Sequence, residues 1–234
     1  RDHWPDLVER LHGVVHRVEQ RRGRPLSMRV LDFGAPFWGD VGQHEQMFAW
    51  LHGLRDPGRT GIVTRALAGL LGEPDERGNW IGDDCHLGAE VHVHDSVLLG
   101  VQVQSGTICR SVLLGTTTHT IDAANAFDHS SIAPALTLGN RAGSYRVIAE
   151  TPVVVPAGER LTTVLLPDGT VDLRVRETTA LRDRARCYDV PILGNPVSFR
   201  DAHRRAAEVP PTERDERRQS LREKVFSKRD PGAR

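Results

Sequence analysis

The segment that decides the fold runs from residue 81 to residue 103 and reads IGDDCHLGAEVHVHDSVLLGVQV. Apolar residues recur in it every six positions, and a second apolar or small residue follows each of them after four positions. The two sets are Ile81, Leu87, Val93 and Leu99, and Cys85, Val91, Val97 and Val103. Such a period is typical of a left-handed parallel β-helix, in which three short strands form one triangular coil and both sets face its interior. We therefore predict a mainly β protein built on a left-handed parallel β-helix.

The repeat is imperfect beyond residue 99. Ser96–Gly100 recurs as Ser111–Gly115, an offset of 15 residues, whereas three six-residue units would span 18. This offset predicts a shortened or bulged coil, and we expect about four or five coils between residues 79 and 150. The alternative interpretation is an antiparallel sandwich, because Val and Leu also alternate in this segment. Four consecutive hexads in register favour the β-helix.

Different patterns flank the repeats. Apolar residues at helical spacing predict a helix over 6–20 and another over 43–54. Strand-like runs on either side of Pro167-Asp168-Gly169 predict a β-hairpin, since this tripeptide is a strong turn sequence. The C-terminal tail is charge-dense, so we expect it to be solvated apart from a short surface helix over 221–226. The four predicted regions are the C-terminal edge of an α/β domain (1–75), the β-helix (79–150), a hairpin and capping segment (151–199) and the charged tail (200–234).

Composition and charge exclude several classes of protein. The 234 residues carry 31 Lys and Arg against 31 Asp and Glu, so the chain lacks the basic excess of proteins that track nucleic-acid phosphates. No apolar run approaches the roughly 18 residues that would span a membrane as a helix. The cysteines Cys85, Cys109 and Cys187 form no Cys-x-x-Cys pair, and we expect reduced thiols in a cytoplasmic protein. Nucleic acid and membrane are therefore not among the expected partners.

A short motif before the second predicted helix indicates an enzyme family. Phe37-Trp38-Gly39-Asp40-Val41-Gly42 follows a predicted strand and precedes a helix and then the hexads. In this motif and this order of elements the chain resembles the sugar-1-phosphate nucleotidyltransferases, in which an aromatic-Trp-x-Asp-Val/Thr-Gly segment closes the α/β catalytic domain. That family often continues into a helix, a linker and a left-handed β-helix. The resemblance covers about residues 25–120, and one departure is Gln43, where the family usually has Thr.

The resemblance implies a reaction and a set of residues. These enzymes join a sugar 1-phosphate to a nucleoside triphosphate and release pyrophosphate. By match to the motif, Asp40 would be a catalytic residue, one of two aspartates that hold Mg²⁺, a cation that prefers carboxylate oxygens and neutralises charge on reacting phosphates. Trp38 would support the substrate loop by packing under it, and Gly42 would free the backbone to begin the next helix. Without the resemblance, Asp40 also fits a helix N-cap or a turn.

Residues 1–75 do not contain the whole catalytic apparatus of that family. They lack the Gly-rich nucleotide-binding loop with its Arg and Lys, and they lack the second metal-binding aspartate. We therefore expect this chain to be part of a sugar-1-phosphate nucleotidyltransferase and to be inactive by itself. A non-catalytic relative is the other interpretation.

Three further hypotheses remain open. Hexapeptide acyltransferases also use left-handed β-helices with a histidine as general base, and His119 or His129 would be the candidate. His92 and His94 lie two residues apart on a predicted strand, as a pair of metal ligands would, but no third and fourth ligands are spaced to converge with them. The β-helix would also serve as a non-catalytic oligomerisation module, because flat faces of this fold stack against a second copy. We expect a homo-oligomer formed through the β-helix.

Overall fold

The computed structural model describes residues 4–23, 44–70, 72–176 and 186–227. The chain divides into two compact units, residues 1–37 and residues 38–234. The described part of the first unit is one helix, α1 (Trp4–Arg22), and it contains the helix predicted over 6–20. All other described elements belong to the second unit.

The second unit begins and ends with helices and consists of strands between them. Its helices are α2 (His44–His52), the 3₁₀ helix η1 (Gly53–Arg55), α3 (Arg59–Leu67), α4 (Arg186–Asp189), α5 (Phe199–Ala206) and α6 (Pro211–Ser227). Its strands are β1 (Trp80–Ile81), β2 (His86–His94), β3 (Val97–Leu99), β4 (Gln102–Cys109), β5 (Val112–Leu114), β6 (Thr117–Ala124), β7 (Phe127–His129), β8 (Ile132–Leu138), β9 (Gly143–Tyr145), β10 (Val153–Val155), β11 (Glu159–Leu166) and β12 (Gly169–Arg176). The helix predicted over 43–54 is confirmed by α2 and η1. Within the described residues, no helix combines the length and the apolar character needed to cross a membrane.

The strands form a parallel β-helix of about six turns, which confirms the predicted mainly β fold class. Short strands stack in the order β1-β3-β5-β7-β9-β11, and longer strands stack in the order β2-β4-β6-β8-β10. Neighbouring strands are in register: Val97 lies beside Val112, and Val112 lies beside Phe127. One coil therefore takes 15 residues along the chain, and the coil from Phe127 to Gly143 takes 16.

Two corners of each coil adopt a left-handed backbone conformation. A residue with positive φ precedes, and another follows, each short strand from β3 to β9. The two columns are Asp95, Arg110, Asn125 and Arg141, and Gly100, Gly115, Ser130 and Arg146. Gly100 and Gly115 adopt this conformation without steric cost, because glycine has no Cβ. The other corners accept it as single residues, and each pair of corners encloses a strand of only three residues.

The six-residue register predicted for residues 81–103 is wrong, although the parallel β-helix that it predicted is present. A coil of 15 residues is shorter than three hexads, so a six-residue pattern shifts by three positions from one coil to the next. Val93 consequently lies in the interior, whereas Leu99 packs outside the coil and Ile81 is exposed. The 15-residue offset, expected as an irregularity, is the repeat of the structure.

Three apolar cores hold the second unit together. The first fills the β-helix with buried aliphatic residues such as Leu98 and Leu113. The second lies outside the short strands, where Phe48 of α2 packs on Phe127 of β7. The third joins the strands β11 and β12 to α5 through Phe199. Burial of each such side chain stabilises the fold by about 1.5–3 kcal/mol.

The predicted hairpin is confirmed. Strands β11 and β12 pair antiparallel, and the two residues Pro167 and Asp168 connect them. Strand β11 also pairs in parallel with β9, so the hairpin extends the sheet of short strands by two members. The outer side of this sheet is therefore continuous from the first coil to β12.

The charged segment after the hairpin is more ordered than expected. Helix α5 buries apolar residues against the hairpin, and α6 is fastened to the β-helix by guanidinium groups. Arg218 donates to the Ser130 carbonyl (2.7 Å), and Arg222 donates to the Gln102 side chain (2.8 Å). The expectation of a mostly solvated tail is therefore wrong for residues 199–227.

Candidate ligand-binding site

The nucleotidyltransferase-like motif lies outside the described residues. Trp38, Asp40 and Gly42 belong to the segment 24–43, which separates α1 from α2. Helix α2 begins at His44, two residues after Gly42. The catalytic and Mg²⁺-binding roles of Asp40 therefore stay predictions.

The candidate histidines are not brought together. His119 is half-buried on β6, in the sheet of long strands, whereas His129 ends β7 in the sheet of short strands. The His129 ring stacks on Tyr145 with centroids 5.0 Å apart, and burial lowers the pKa of His129 below its usual value. His92 and His94 are exposed on β2. Across the described ranges, no three His, Cys, Asp or Glu side chains are grouped so that they could hold a metal ion.

A cavity of about 340 Å³ opens on the outer side of the short strands, and we call it the short-strand cavity. Two helical covers lie on this side of the sheet: α2 packs over β3, β5 and β7, and α5 packs over the hairpin. Met47 of α2 and Phe199 of α5 both line the cavity, and β9 contributes to its floor. The cavity is thus the gap that the two covers leave between them.

A glycine makes room at this floor. The outward positions of successive short strands, in register, are Val97, Val112, Phe127, Gly143 and Arg160. The Phe127 ring lies over Gly143, because a Cβ atom at residue 143 would be only 2.3 Å from the ring. Any larger residue at position 143 would have to displace this ring.

Arg160 places a buried positive charge in the wall of the short-strand cavity. Its side chain belongs to a residue that is only 4% exposed, and its guanidinium lies 5.1 Å from the ring centroids of both Phe48 and Phe127. Burial, and secondly the charge of Arg141, lower the pKa of Arg160 to about 10, so the group stays protonated at neutral pH. The described residues that line the cavity include no Asp or Glu, and most of them are apolar or aromatic.

A second, more polar cavity of about 410 Å³ adjoins the first. The residues that line both are Tyr145, Thr162 and His203. Its walls carry three guanidinium groups, from Arg146, Arg214 and Arg218, and one carboxylate, from Asp215. Burial, followed by the charge of Arg146, lowers the pKa of Arg218. We call this space the arginine cleft, because its walls hold an excess of two positive charges.

The interior of the β-helix contains one buried carboxyl group. Asp128 is 1% exposed and occupies the position that Leu113 occupies in the preceding coil. Its oxygens accept hydrogen bonds from the hydroxyls of Thr116 (2.6 Å), Ser131 and Ser144. Burial raises the pKa of the Asp128 carboxyl, and these hydrogen bonds oppose the rise. Because Asp128 lines neither cavity, we assign it to the fold.

Sequence reasoning missed both cavities, because their walls come from distant parts of the chain. Met47, Phe127, Arg160 and His203 meet only when the coils stack and the terminal helices fold back. The available signal is the 15-residue offset. Continued past residue 115, it places Phe127 in one column with Val112, and one further coil leads to Gly143.

Comparisons with known proteins do not assign the chain to a family. No family model, no curated protein and no solved structure matches it. The argument for a function therefore depends on the residues and cavities of this chain.

Proposed function

We propose that this chain is the C-terminal part of a sugar-1-phosphate nucleotidyltransferase, and that its β-helix is the scaffold to which the end of the catalytic domain is attached. The supporting observation is that the helix after the motif is docked on the β-helix. In sequence, Asp40 lies four residues before α2. Phe48 of α2 is buried, and its ring meets the Phe127 ring edge-on with centroids 6.0 Å apart.

The proposed reaction transfers a nucleotidyl group. An oxygen of the sugar 1-phosphate attacks the α-phosphorus of a nucleoside triphosphate, the bond to the β-phosphate breaks, and pyrophosphate leaves. By the family resemblance, Asp40 would help to hold Mg²⁺, which when bound neutralises charge on the phosphates. The proposal assigns the nucleotide-binding loop and the second aspartate to sequence upstream of this chain.

The test begins with the native gene product. Its intact mass, measured on protein purified from its source, should exceed the 25.9 kDa of this chain by about 20 kDa, the size of a further domain. That protein should release pyrophosphate from a nucleoside triphosphate and one member of a panel of sugar 1-phosphates. Asp40→Asn should reduce the rate at least about 100-fold, while Asp122→Asn on the exposed side of β6 should leave it unchanged. A native mass equal to that of this chain, or full activity of Asp40→Asn, would contradict the proposal.

A second function, assembly through the β-helix, is favoured by one uncovered face. The outward positions of the second half of the long strands are exposed and carry small or polar residues, among them Thr107, Asp122 and Thr137 in successive coils. In the part of the chain that the structure describes, no helix buries these three residues. We propose that a second copy of the chain covers this open face in a homo-oligomer.

Sedimentation equilibrium of the chain tests this second proposal. We expect a mass that is a multiple of 25.9 kDa and an association that Thr137→Arg weakens at least about tenfold. Thr170→Arg, on the exposed part of the hairpin, is the matched control and should leave the association unchanged. A monomer over the whole concentration range rules out assembly through this face.

The acyltransferase hypothesis receives no support from the geometry. His119 lines neither the short-strand cavity nor the arginine cleft. A general base must lie within hydrogen-bond reach of its substrate, so His119 is not placed to act in either space.

A further inference from the structure

We infer that the short-strand cavity and the arginine cleft form one binding site for a small organic phosphate whose body is flat and apolar. The inference does not depend on the nucleotidyltransferase proposal, because every residue that carries it lies between α2 and α6 and is described by the structure.

The short-strand cavity suits the apolar body. Its volume of about 340 Å³ falls within the range of ligand pockets, about 300–1,000 Å³. Four aromatic side chains line it, namely Phe127, Tyr145, Tyr188 and Phe199. Aromatic rings in a wall favour a flat ligand, because stacked and edge-on ring contacts add to the burial of apolar surface. A flat ring system is therefore the body that these walls would hold best.

The arginine cleft suits the phosphate. Arg214 uses its Nε to donate to the Val209 carbonyl (2.9 Å), and Arg218 donates through one terminal nitrogen to the Ser130 carbonyl (2.7 Å). These bonds fix the two side chains, and a guanidinium has five N–H donors, so each has further donors to offer a ligand. Arg146 is exposed and lies over the Tyr145 ring at 5.4 Å.

The charge of the cleft favours a phosphate over a carboxylate. The three arginines and Asp215 leave two positive charges in excess, and a phosphate monoester carries close to two negative charges at neutral pH. Guanidinium groups also bind phosphate oxygens in pairs, which orients the anion. A single carboxylate would neutralise only half of this excess.

The two spaces are contiguous, so one molecule can occupy both. Tyr145, Thr162 and His203 belong to both walls and mark the junction. A phosphate bonded directly to a ring system would leave the ring on the Phe127 side of the junction and the phosphate on the Arg146 side. Aryl phosphates and compact nucleotides share this chemistry.

The test is calorimetric titration of this chain with 1-naphthyl phosphate, which has a flat apolar body and one phosphate. Inorganic phosphate and 1-naphthol, titrated separately, represent the two halves of the ligand. We expect 1-naphthyl phosphate to bind at least about tenfold more tightly than either half. Its affinity should fall as salt is added, because the cleft binds through charge. Binding of 1-naphthyl phosphate that is no tighter than that of 1-naphthol overturns the inference.

Matched variants locate the binding. Arg146→Gln should weaken 1-naphthyl phosphate about tenfold and leave 1-naphthol unchanged, since it removes only a contact to the phosphate. Thr162→Trp should abolish binding of both, because it fills the junction. The controls are Arg204→Gln on the exposed side of α5 and Thr107→Trp on the open face, and both should bind like the unaltered chain. Unchanged binding in Arg146→Gln and Thr162→Trp also overturns the inference.

Discussion

Asp128 interrupts an apolar column without interrupting the coil. Leu98 and Leu113 hold the same interior position in the two preceding coils, and Ser144 holds it in the next. A buried carboxyl is costly unless its oxygens are hydrogen-bonded, and here the donors come from residues that replace apolar ones at neighbouring positions. Thr116 and Ser131 lie in the column that begins with Val101 and ends with Val147. The departures from the apolar pattern are therefore coupled to one another.

Replacing Asp128 by Leu is expected to lower the free energy of unfolding by about 2–4 kcal/mol, because several buried hydroxyl groups lose their acceptor at once. Adding Thr116→Val and Ser144→Ala should recover more than half of this loss, since the orphaned hydroxyls are then removed. Urea unfolding of the three proteins measures both effects. A change below about 0.5 kcal/mol in Asp128→Leu, the range of an ordinary surface substitution, would show that the network contributes nothing.

His52 is expected to make the stability of the second unit depend on pH. Burial, and secondly the charge of Arg55, lower its pKa from 6.5 to about 4 in the folded state. Between these values the unfolded chain binds a proton that the folded chain excludes, so the free energy of unfolding falls as the pH decreases through this window. The pKa difference corresponds to a loss of about 3 kcal/mol when the window has been crossed.

Unfolding measured at pH 7, 5.5 and 4.5 tests this dependence. His52→Phe preserves the ring that stacks on Phe48 at 4.0 Å and should flatten the pH profile relative to the unaltered protein. The exposed His92, replaced by Phe, should leave the profile as it is. Identical slopes in all three proteins would remove His52 as the cause.

At the level of elements, the sequence predicts those whose apolar pattern is local. The helices near the N-terminus, the hairpin around Pro167-Asp168 and the existence of a parallel β-helix all follow from spacing within a few residues. The coil length does not, because left-handed corners at Arg110 and Asn125 carry no residue type that distinguishes them from ordinary surface positions. Helix α6 is missed for a different reason, since its contacts are made by charged side chains that read as solvated.

Helix α6 is therefore expected to respond to the loss of a single polar contact. No side chain between residues 211 and 224 is buried, so apolar packing of this stretch contributes little. Arg222→Gln removes the bond to Gln102 and should lower amide-exchange protection in α6 about tenfold, with no change in the β-helix. Hydrogen exchange read by mass spectrometry measures this, and Gln219→Ala on the same helix is the control. Equal protection in both variants would mean that Arg222 does not hold the helix.

For the second unit as a whole, the candidate site is a property of the assembly and not of any one element. A helical cover precedes the β-helix in sequence and another follows it, and both pack on the outer side of the same sheet. The lining of the short-strand cavity runs from Met47 to His203, and no local pattern connects such distant residues. What the sequence could predict of the site is its scaffold. The motif around Asp40 indicates a different site, on residues that the structure does not describe.

The constant coil length makes the height of the β-helix a quantity that changes only in whole steps. Deleting residues 97–111 joins Ser96 to Val112 and reproduces the corner that Ser111 and Val112 form now. That variant should unfold cooperatively in a thermal scan followed by circular dichroism, at a lower midpoint than the intact chain. Deleting residues 98–111 leaves the count one residue out of step and turns every later side chain to the wrong side, so it should give no cooperative transition. Equal behaviour of the two deletions would show that the repeat does not control the fold.

If the steps are real, tandem duplication of one coil is the natural way for such a chain to grow. Each added coil would separate the helices before the β-helix from the hairpin after it by one further strand spacing, about 4.8 Å. Two proteins of this architecture would then differ in reach by multiples of that distance, with the surfaces at either end unchanged. Distance between attached parts would be inherited as a whole number.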